Sequence, residues 1–288
     1  MSIDSSYTLP DHGHIRLNPT TNISGENRAE RDITLALSVQ AKEFPERFFW
    51  AESNSFALEY TPDPLHPELI REHVAPSINR GTPVRFHTRF FGYEMGNTDS
   101  EKAEEAYKVH LQVIEALSGL GEPVITVHLN LGSQIPFDPH RAVDNLSRLV
   151  DKAQESNITV CLENLRRGPT SDPNTVLAWA VESEAMITMD IGHAISSDYV
   201  KEGIMPPAEI VKLFGDRLYE AHIYGKEEDR HYPIEDMEMT APIIDQLVKT
   251  NCSWWTIELD DHGEALDTRK RILQYLTEKQ IVTKGKTG

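Results

Sequence analysis

The sequence predicts one α/β domain, a single (β/α)8 barrel with an N-terminal extension. Eight short runs of β-branched and aromatic residues alternate with eight segments whose apolar residues recur at helical spacing, and such alternation is typical of a parallel sheet. The chain has 288 residues, and a barrel of this kind takes about 250. A hydrophobic content of 39% is enough for one large core.

The predicted strands are apolar runs bounded by polar residues, glycine or proline. Each run falls within the roughly four to eight residues that are usual for a buried strand, and it is shorter than a typical helix. In chain order they are residues 33–39, 56–60, 83–87, 124–129, 158–163, 186–190, 218–224 and 253–259.

The predicted helices lie between these strands. The third begins near Ser100, and the fourth and fifth follow Asp138-Pro139 and Asp172-Pro173. In both pairs the acid can cap the helix and the proline suits its first position. The other predicted helices are residues 41–51, 66–79, 206–214, 239–249 and 265–279.

Three segments make up the predicted domain organisation. Residues 1–31 are polar with scattered proline and glycine, which favours an extended arm on the outside of the barrel. The barrel takes residues 32–280, and residues 281–288 form a loose tail. The sequence leaves open whether the chain forms a homo-oligomer.

The bulk properties narrow the class of function. A formal net charge of −18 repels a phosphate backbone, so the sequence favours a small-molecule substrate over nucleic acid. Cys161 and Cys252 do not form a disulfide framework, which favours a reducing, cytoplasmic setting. Apolar runs of the roughly 18–20 residues that span a membrane are absent from the sequence, as is a secretory signal.

Potential metal ligands stand at or just after the ends of strands three to eight. A parallel barrel gathers these ends at one mouth, so residues far apart in sequence meet there. Carboxylates with imidazoles suit zinc, manganese or cobalt, and the sequence predicts one to three such ions. The ligand types are His87, His128, Glu163, Asp190, His193, His222, Asp229, His231 and Glu258.

Two layers are distinguished within this set. The first is a mixed group of four ligands: Glu163, Asp190, His222 and Glu258. The second layer would hold further ions, bind substrate or orient the first ligands; it comprises His87, His128, His193, Asp229 and His231.

Basic residues near the mouth are candidates for anion binding. Arg166 and Arg167 follow E-N-L directly and face the mouth, where they either clamp a phosphate or carboxylate or are simply solvated. Arg230, in the segment after strand seven, is the third candidate.

Taken together, the strand-end motifs resemble those of the xylose isomerase-like TIM-barrel superfamily. The resemblance extends from about Ile33 to Leu276. This superfamily includes sugar isomerases and epimerases and the endonuclease IV type of abasic-site nuclease. The matching motifs are V-R-F-H, V-H-L-N, L-E-N, M-D-I-G-H-A, A-H-I-Y, D-R-H and I-E-L.

The epimerase branch implies one ion held by the first layer of four ligands. Glu163 and Glu258 would also move a proton at a carbon next to a carbonyl, one from each face. His193 would contact a substrate oxygen. The expected function is therefore metal-assisted isomerisation or epimerisation of a small sugar or sugar phosphate.

The endonuclease branch is the alternative, a multi-zinc phosphoesterase that cleaves abasic-site DNA. It implies three zinc ions, with Glu163 bridging two of them, His87 and His128 on one outer ion, and Asp229 and His231 on another. The loops after L-E-N and D-R-H differ from that branch, which ranks it second. A protein that holds a metal without catalysis is the third possibility.

Overall fold

Eight parallel strands form a closed barrel in this protein, for which a computed structural model describes residues 14–17, 20–21, 27–28, 31–132 and 134–281. Each strand pairs with its neighbours along the chain, and the last pairs with the first. The predicted (β/α)8 barrel is confirmed. Its strands are β1 (Arg31–Gln40), β2 (Ala57–Thr61), β3 (Val84–Thr88), β4 (Val124–Val127), β5 (Thr159–Glu163), β6 (Met186–Asp190), β7 (Leu218–Ile223) and β8 (Trp254–Ile257).

Helices fill the connections between the strands. In the described part of the chain they are α1 (Glu46–Ser53), α2 (Ile70–Asn79), α3 (Ser100–Leu117), α4 (Pro139–Glu155), α5 (Pro173–Glu182), α6 (Ile191–Ser196), α7 (Asp198–Lys201), α8 (Pro207–Phe214), α9 (Ala241–Leu247) and α10 (His262–Glu278). Asp138 and Asp172 cap α4 and α5 as predicted, each accepting bonds from backbone N–H groups.

Three local predictions differ from the structure. The helix predicted over residues 66–79 begins as a 3-10 turn, Pro67–Leu69, before α2. The helix predicted over residues 41–51 is divided into a 3-10 turn, Ala41–Glu43, and α1. Pro45 lies at the division, because proline lacks the N–H that a continuous helix needs. The short helices α6 and α7 after β6 were not predicted.

Two separate compartments surround the strands, because successive side chains of a strand point to opposite sides. The outward side chains pack against the helices in one large apolar core, for example Leu58, Ile125 and Ile187. Inside the barrel, the apolar cluster contains Ala36, Ala57 and Trp254. The remaining inward positions are buried and mostly polar, among them Glu59, Arg85, Thr126, Thr188, Glu220 and Thr256.

The described part of the N-terminal segment runs along the barrel. Residues His14–Leu17 form a strand antiparallel to the start of β1, with Ile15 opposite Ile33. Ile15 is buried, which agrees with an arm packed on the outside. Residues 1–13 and 282–288 lie outside the described residues, so the proposed boundaries of arm and tail stay predictions. None of the described helices combines the length and apolar character that crossing a bilayer requires.

A buried histidine on α3 should make the fold sensitive to acid. Burial lowers the pKa of His110 to about 4, against an opposing hydrogen bond with the Tyr93 backbone. Below pH 6.5, the ordinary pKa of histidine, His110 binds a proton in the unfolded chain but not in the folded chain. The free energy of unfolding should therefore fall between pH 6.5 and pH 4, by about 3 kcal/mol from this group.

Urea unfolding of wild type and His110→Leu from pH 7 to pH 4 measures this contribution. The variant should lose less stability over that range. His140→Leu removes an exposed histidine on α4 and is the control. Identical pH slopes for wild type and His110→Leu would contradict the assignment.

Candidate metal and active site

The carboxyl ends of β3 to β8 bring the predicted ligands into one buried cluster. Glu163 and Asp190 are the last residues of β5 and β6, and His222 stands opposite Asp190 in the pairing of β6 with β7. Glu258 directly follows β8. All four side chains are buried, so the closed barrel brings the first layer of ligands together.

Glu163 is the centre of this cluster. Its Oε2 atom lies 3.1 Å from His128 Nε2, 3.2 Å from His87 Nε2 and 3.3 Å from His222 Nδ1. Glu258 Oε1 lies 3.3 Å from His87 Nδ1. Carboxylate and imidazole groups of five strand ends thus share one small volume.

The chemistry of this donor set fits a divalent cation. One ligand atom each from Glu163, Asp190, His222 and Glu258 lies within 4.8 Å of the others. Several of these buried atoms have no hydrogen-bond partner among the described residues: both Glu163 oxygens, Asp190 Oδ2, His222 Nδ1 and Glu258 Oε1. These atoms lie in ion-pair contact with neighbouring imidazoles or carboxylates but make no hydrogen bond to a described residue, and a bound cation would supply the bonds that buried charges need.

The electrostatics within the cluster divide its acids into two kinds. Burial acts to raise the pKa of Glu163, but positive charge on His128 and His222 outweighs it and holds that pKa well below its ordinary value. Burial, with the negative charges of Glu163 and Glu258, raises the pKa of Asp190 well above its ordinary value. The same pocket therefore shifts the pKa values of two neighbouring carboxyls in opposite directions, and positive charge placed between them would favour the ionised form of both.

The D-I-G-H motif builds one wall of the site. Asp190 Oδ1 accepts a 2.6 Å hydrogen bond from the His193 backbone and caps α6. His193 Nδ1 lies 2.9 Å from the Asn164 carbonyl oxygen, which fixes the ring. A β-carbon on Gly192 would lie 2.0 Å from the Tyr224 ring, so this position requires glycine.

The loop after β7 adds Glu227 and His231. They face each other in a two-residue antiparallel pairing, and with His193 their ligand atoms form a second group within 4.8 Å. Asp229 lies at the exposed tip, where its carboxylate accepts from the Tyr232 hydroxyl at 2.8 Å. The hairpin therefore turns Glu227 toward the site, whereas the sequence had singled out Asp229.

Two of the three candidate arginines are paired with acids. Arg166 Nε lies 3.2 Å from Glu227 and its Nη1 donates to the backbone of the same loop. Arg230 makes two bonds of 2.6 and 2.8 Å to Glu264. Arg167 is exposed at the mouth.

A cavity of about 190 Å³ opens above the cluster. It is smaller than the roughly 300–1,000 Å³ typical of pockets for drug-sized ligands. His87, Glu163, His193 and Glu258 line its inner part, and residues of the strand-end loops line the mouth. These dimensions suit a small polar molecule.

Comparison with known proteins identifies the family. A sequence model described as "Xylose isomerase-like TIM barrel" matches residues 46–279. This chain belongs to that family. Protein MJ0008 of Methanocaldococcus jannaschii is 31% identical over 205 residues, which are 71% of this chain and 86% of that protein.

Solved structures of similar fold include several sugar epimerases. A D-tagatose 3-epimerase-like protein has a TM-score of 0.68 at 20% identity, over 85% of this chain and 98% of that one. The 3-keto-D-glucoside 4-epimerase YcjR of E. coli has a TM-score of 0.62 at 18% identity, over 85% and 99%. Protein TTHB071 of Thermus thermophilus, soaked with ZnCl2, has a TM-score of 0.66 at 14% identity, over 85% and 99%.

Two buried acids of this xylose isomerase-like barrel were not predicted as part of the site. Glu59 Oε1 lies 3.0 Å from His222 Nε2, the ring nitrogen that faces away from the ligand cluster. Glu220 lies deeper, where burial and the charge of Glu59 raise its pKa to about 8. Strand alternation could have revealed both acids as inward-facing residues. Glu220 shares a face with His222, and Glu59 stands in the middle of a strand that is buried throughout.

Proposed function

We propose that this protein is a divalent-metal-dependent isomerase or epimerase that acts on a small sugar or sugar phosphate. The observation that supports it most directly is the convergence of four buried ligands whose donor atoms lack hydrogen-bond partners among the described residues. Zinc, manganese and cobalt all suit such a mixed set. When bound, the cation would polarise the carbonyl and hydroxyl oxygens of the substrate.

The residues of the cluster take distinct roles in this proposal. Asp190 and His222 hold the cation, as do Glu163 and Glu258. The two glutamates also move the proton at the carbon next to the carbonyl, one from each face. His193, with its ring fixed by Asn164, contacts a substrate oxygen.

The cavity and the relatives support a sugar as the substrate class. The space above the cluster is small and its inner lining is polar, as a polyhydroxylated molecule requires. The D-tagatose 3-epimerase-like and 3-keto-D-glucoside 4-epimerase structures share the fold. The net charge of −18 disfavours the approach of a nucleic acid to the chain as a whole.

Metal content tests the proposal first. We expect one divalent ion per chain in protein purified without added metal or chelator, measured by inductively coupled plasma mass spectrometry. Screening ketoses and ketose phosphates for proton exchange in D2O should then reveal a substrate, and chelation should abolish that exchange. Exchange that persists in metal-free protein would contradict the proposal.

Phosphoester hydrolysis by two or three zinc ions is the second candidate. Three further groups of potential ligands favour it: His87, His128 and Glu163; His193, Glu227 and His231; and Glu59, His87, His222 and Glu258. Two or three zinc ions per chain, with chelator-sensitive incision of an abasic duplex, would replace the first proposal by this one.

A further inference from the structure

Arg89 is a residue of the mouth that the sequence did not single out. It directly follows Thr88, the last residue of β3, two positions after His87. Arg89 and Arg167 line the cavity above the ligand cluster. Both lie beyond the strand ends, nearer the opening than the ligands.

These two arginines differ from the paired arginines nearby. Arg166 and Arg230 are bound to Glu227 and Glu264. In the part of the chain that the structure describes, no carboxylate forms an ion pair with Arg89 or Arg167, although Arg89 also lines a neighbouring cavity with Glu227, Asp229 and Asp260. A guanidinium carries five N–H donors in a fork that matches carboxylate and phosphate, and those of Arg89 are half-buried beside the cavity.

Phe91 contacts the face of the Arg89 guanidinium without using its donors. The Arg89 guanidinium carbon lies 5.9 Å from the centre of the Phe91 ring, a cation–π contact. The Phe91 ring is 62% exposed and lines the same cavity. The N–H groups of Arg89 thus stay available to a ligand.

The cavity is consequently bipolar. Its floor carries the carboxylates of Glu163 and Glu258, and its mouth carries Arg89, Arg167 and the ion pair of Arg166 with Glu227. A molecule with a carbonyl and hydroxyls at one end and a negative charge at the other matches this distribution. A neutral sugar would leave both guanidinium groups to water, since Arg167 is exposed and Arg89 is half-buried.

We propose that the substrate carries an oxyanion, a phosphate or a carboxylate, which Arg89 and Arg167 bind at the mouth while its reacting end lies on the ligand cluster. This rests on the proposed function and names its substrate class. Arg166 and Arg230 have a different role, since their acids already bind them.

Inorganic phosphate is the first probe. Isothermal titration of the metal-loaded, full-length chain at constant ionic strength should give one phosphate site. Arg89→Met and Arg167→Met should each weaken it by roughly tenfold or more. Arg148→Met, which removes an exposed arginine bound to Glu104, should leave it unchanged. Wild-type phosphate affinity in both mouth variants would overturn the proposal, since phosphate would then bind elsewhere.

Matched substrates form the second arm. A ketose, its terminal phosphate and a sugar acid of the same chain length are compared by kcat/KM. A higher kcat/KM for the phosphate or for the acid supports the proposal and identifies which oxyanion the site binds. Arg89→Met should abolish that preference, mainly by raising KM. Equal kcat/KM for the neutral ketose overturns this inference and leaves the isomerase intact. Phosphate binding at the arginines without turnover of any sugar overturns the isomerase and leaves the anion site intact.

Discussion

Replacing Glu163 or Glu258 with glutamine is expected to lower sugar turnover by about 10²–10⁴-fold, the usual contribution of a positioned acid or base. Glutamine preserves the size of each side chain but cannot take up a proton. Neighbouring positive charge lowers the pKa of Glu163, and a bound cation would supply such charge in place of a protonated His222, which keeps the carboxylate ionised as a base must be. Proton exchange at the reacting carbon, followed by NMR in D2O, measures the effect.

Metal analysis of the same variants separates the two roles of each glutamate. A variant that keeps its ion but no longer exchanges the proton has lost a base. Glu155→Gln, at an exposed glutamate that pairs with Lys152, should keep full turnover. If both Glu163→Gln and Glu258→Gln also kept full turnover, the proton-transfer mechanism would be wrong.

Replacing Glu59 with glutamine is expected to weaken metal binding by about 10–100-fold, the usual effect of losing a partner behind a ligand histidine. Glu59 Oε1 lies 3.0 Å from His222 Nε2, which places the proton on that nitrogen and leaves Nδ1 for the cation. Nδ1 faces Glu163 at 3.3 Å and Glu258 at 3.6 Å. Competition with a fluorescent zinc chelator measures the affinity.

A second buried glutamate provides the control for this measurement. Glu94 accepts hydrogen bonds from the backbone of Leu131 and Gly132 at 3.1 and 2.6 Å. Glu94→Gln should lower the melting temperature without changing metal affinity. Equal losses of affinity in Glu59→Gln and Glu94→Gln would show general destabilisation and rule out a specific action on His222.

The barrel could be predicted from the sequence because each strand is a distinct apolar run. The ligand cluster could then be predicted from the barrel, since closure of the sheet gathers the carboxyl ends of β3 to β8 at one mouth. The structure brings Glu163, Asp190, His222 and Glu258 together. Their roles as ligands and bases stay predictions.

Features that depend on loop geometry or on depth inside the barrel could not be predicted in this way. The hairpin register decides that Glu227 opposes His231, and sequence spacing alone does not reveal a turn tip. The role of Glu59 becomes apparent only from its contact with His222, which lies 163 positions away in the sequence. Arg89 stands out only after the acids that pair with the other arginines are known.

The two compartments of the barrel separate folding from chemistry. The large apolar core lies between the strands and the helices, so most of the burial that stabilises the fold lies outside the barrel. The apolar cluster within it, which contains Ala36, Ala57 and Trp254, contributes a much smaller share. Substitution of inward residues can therefore change the reaction while the outward residues preserve the fold. One scaffold can host many functions by this route.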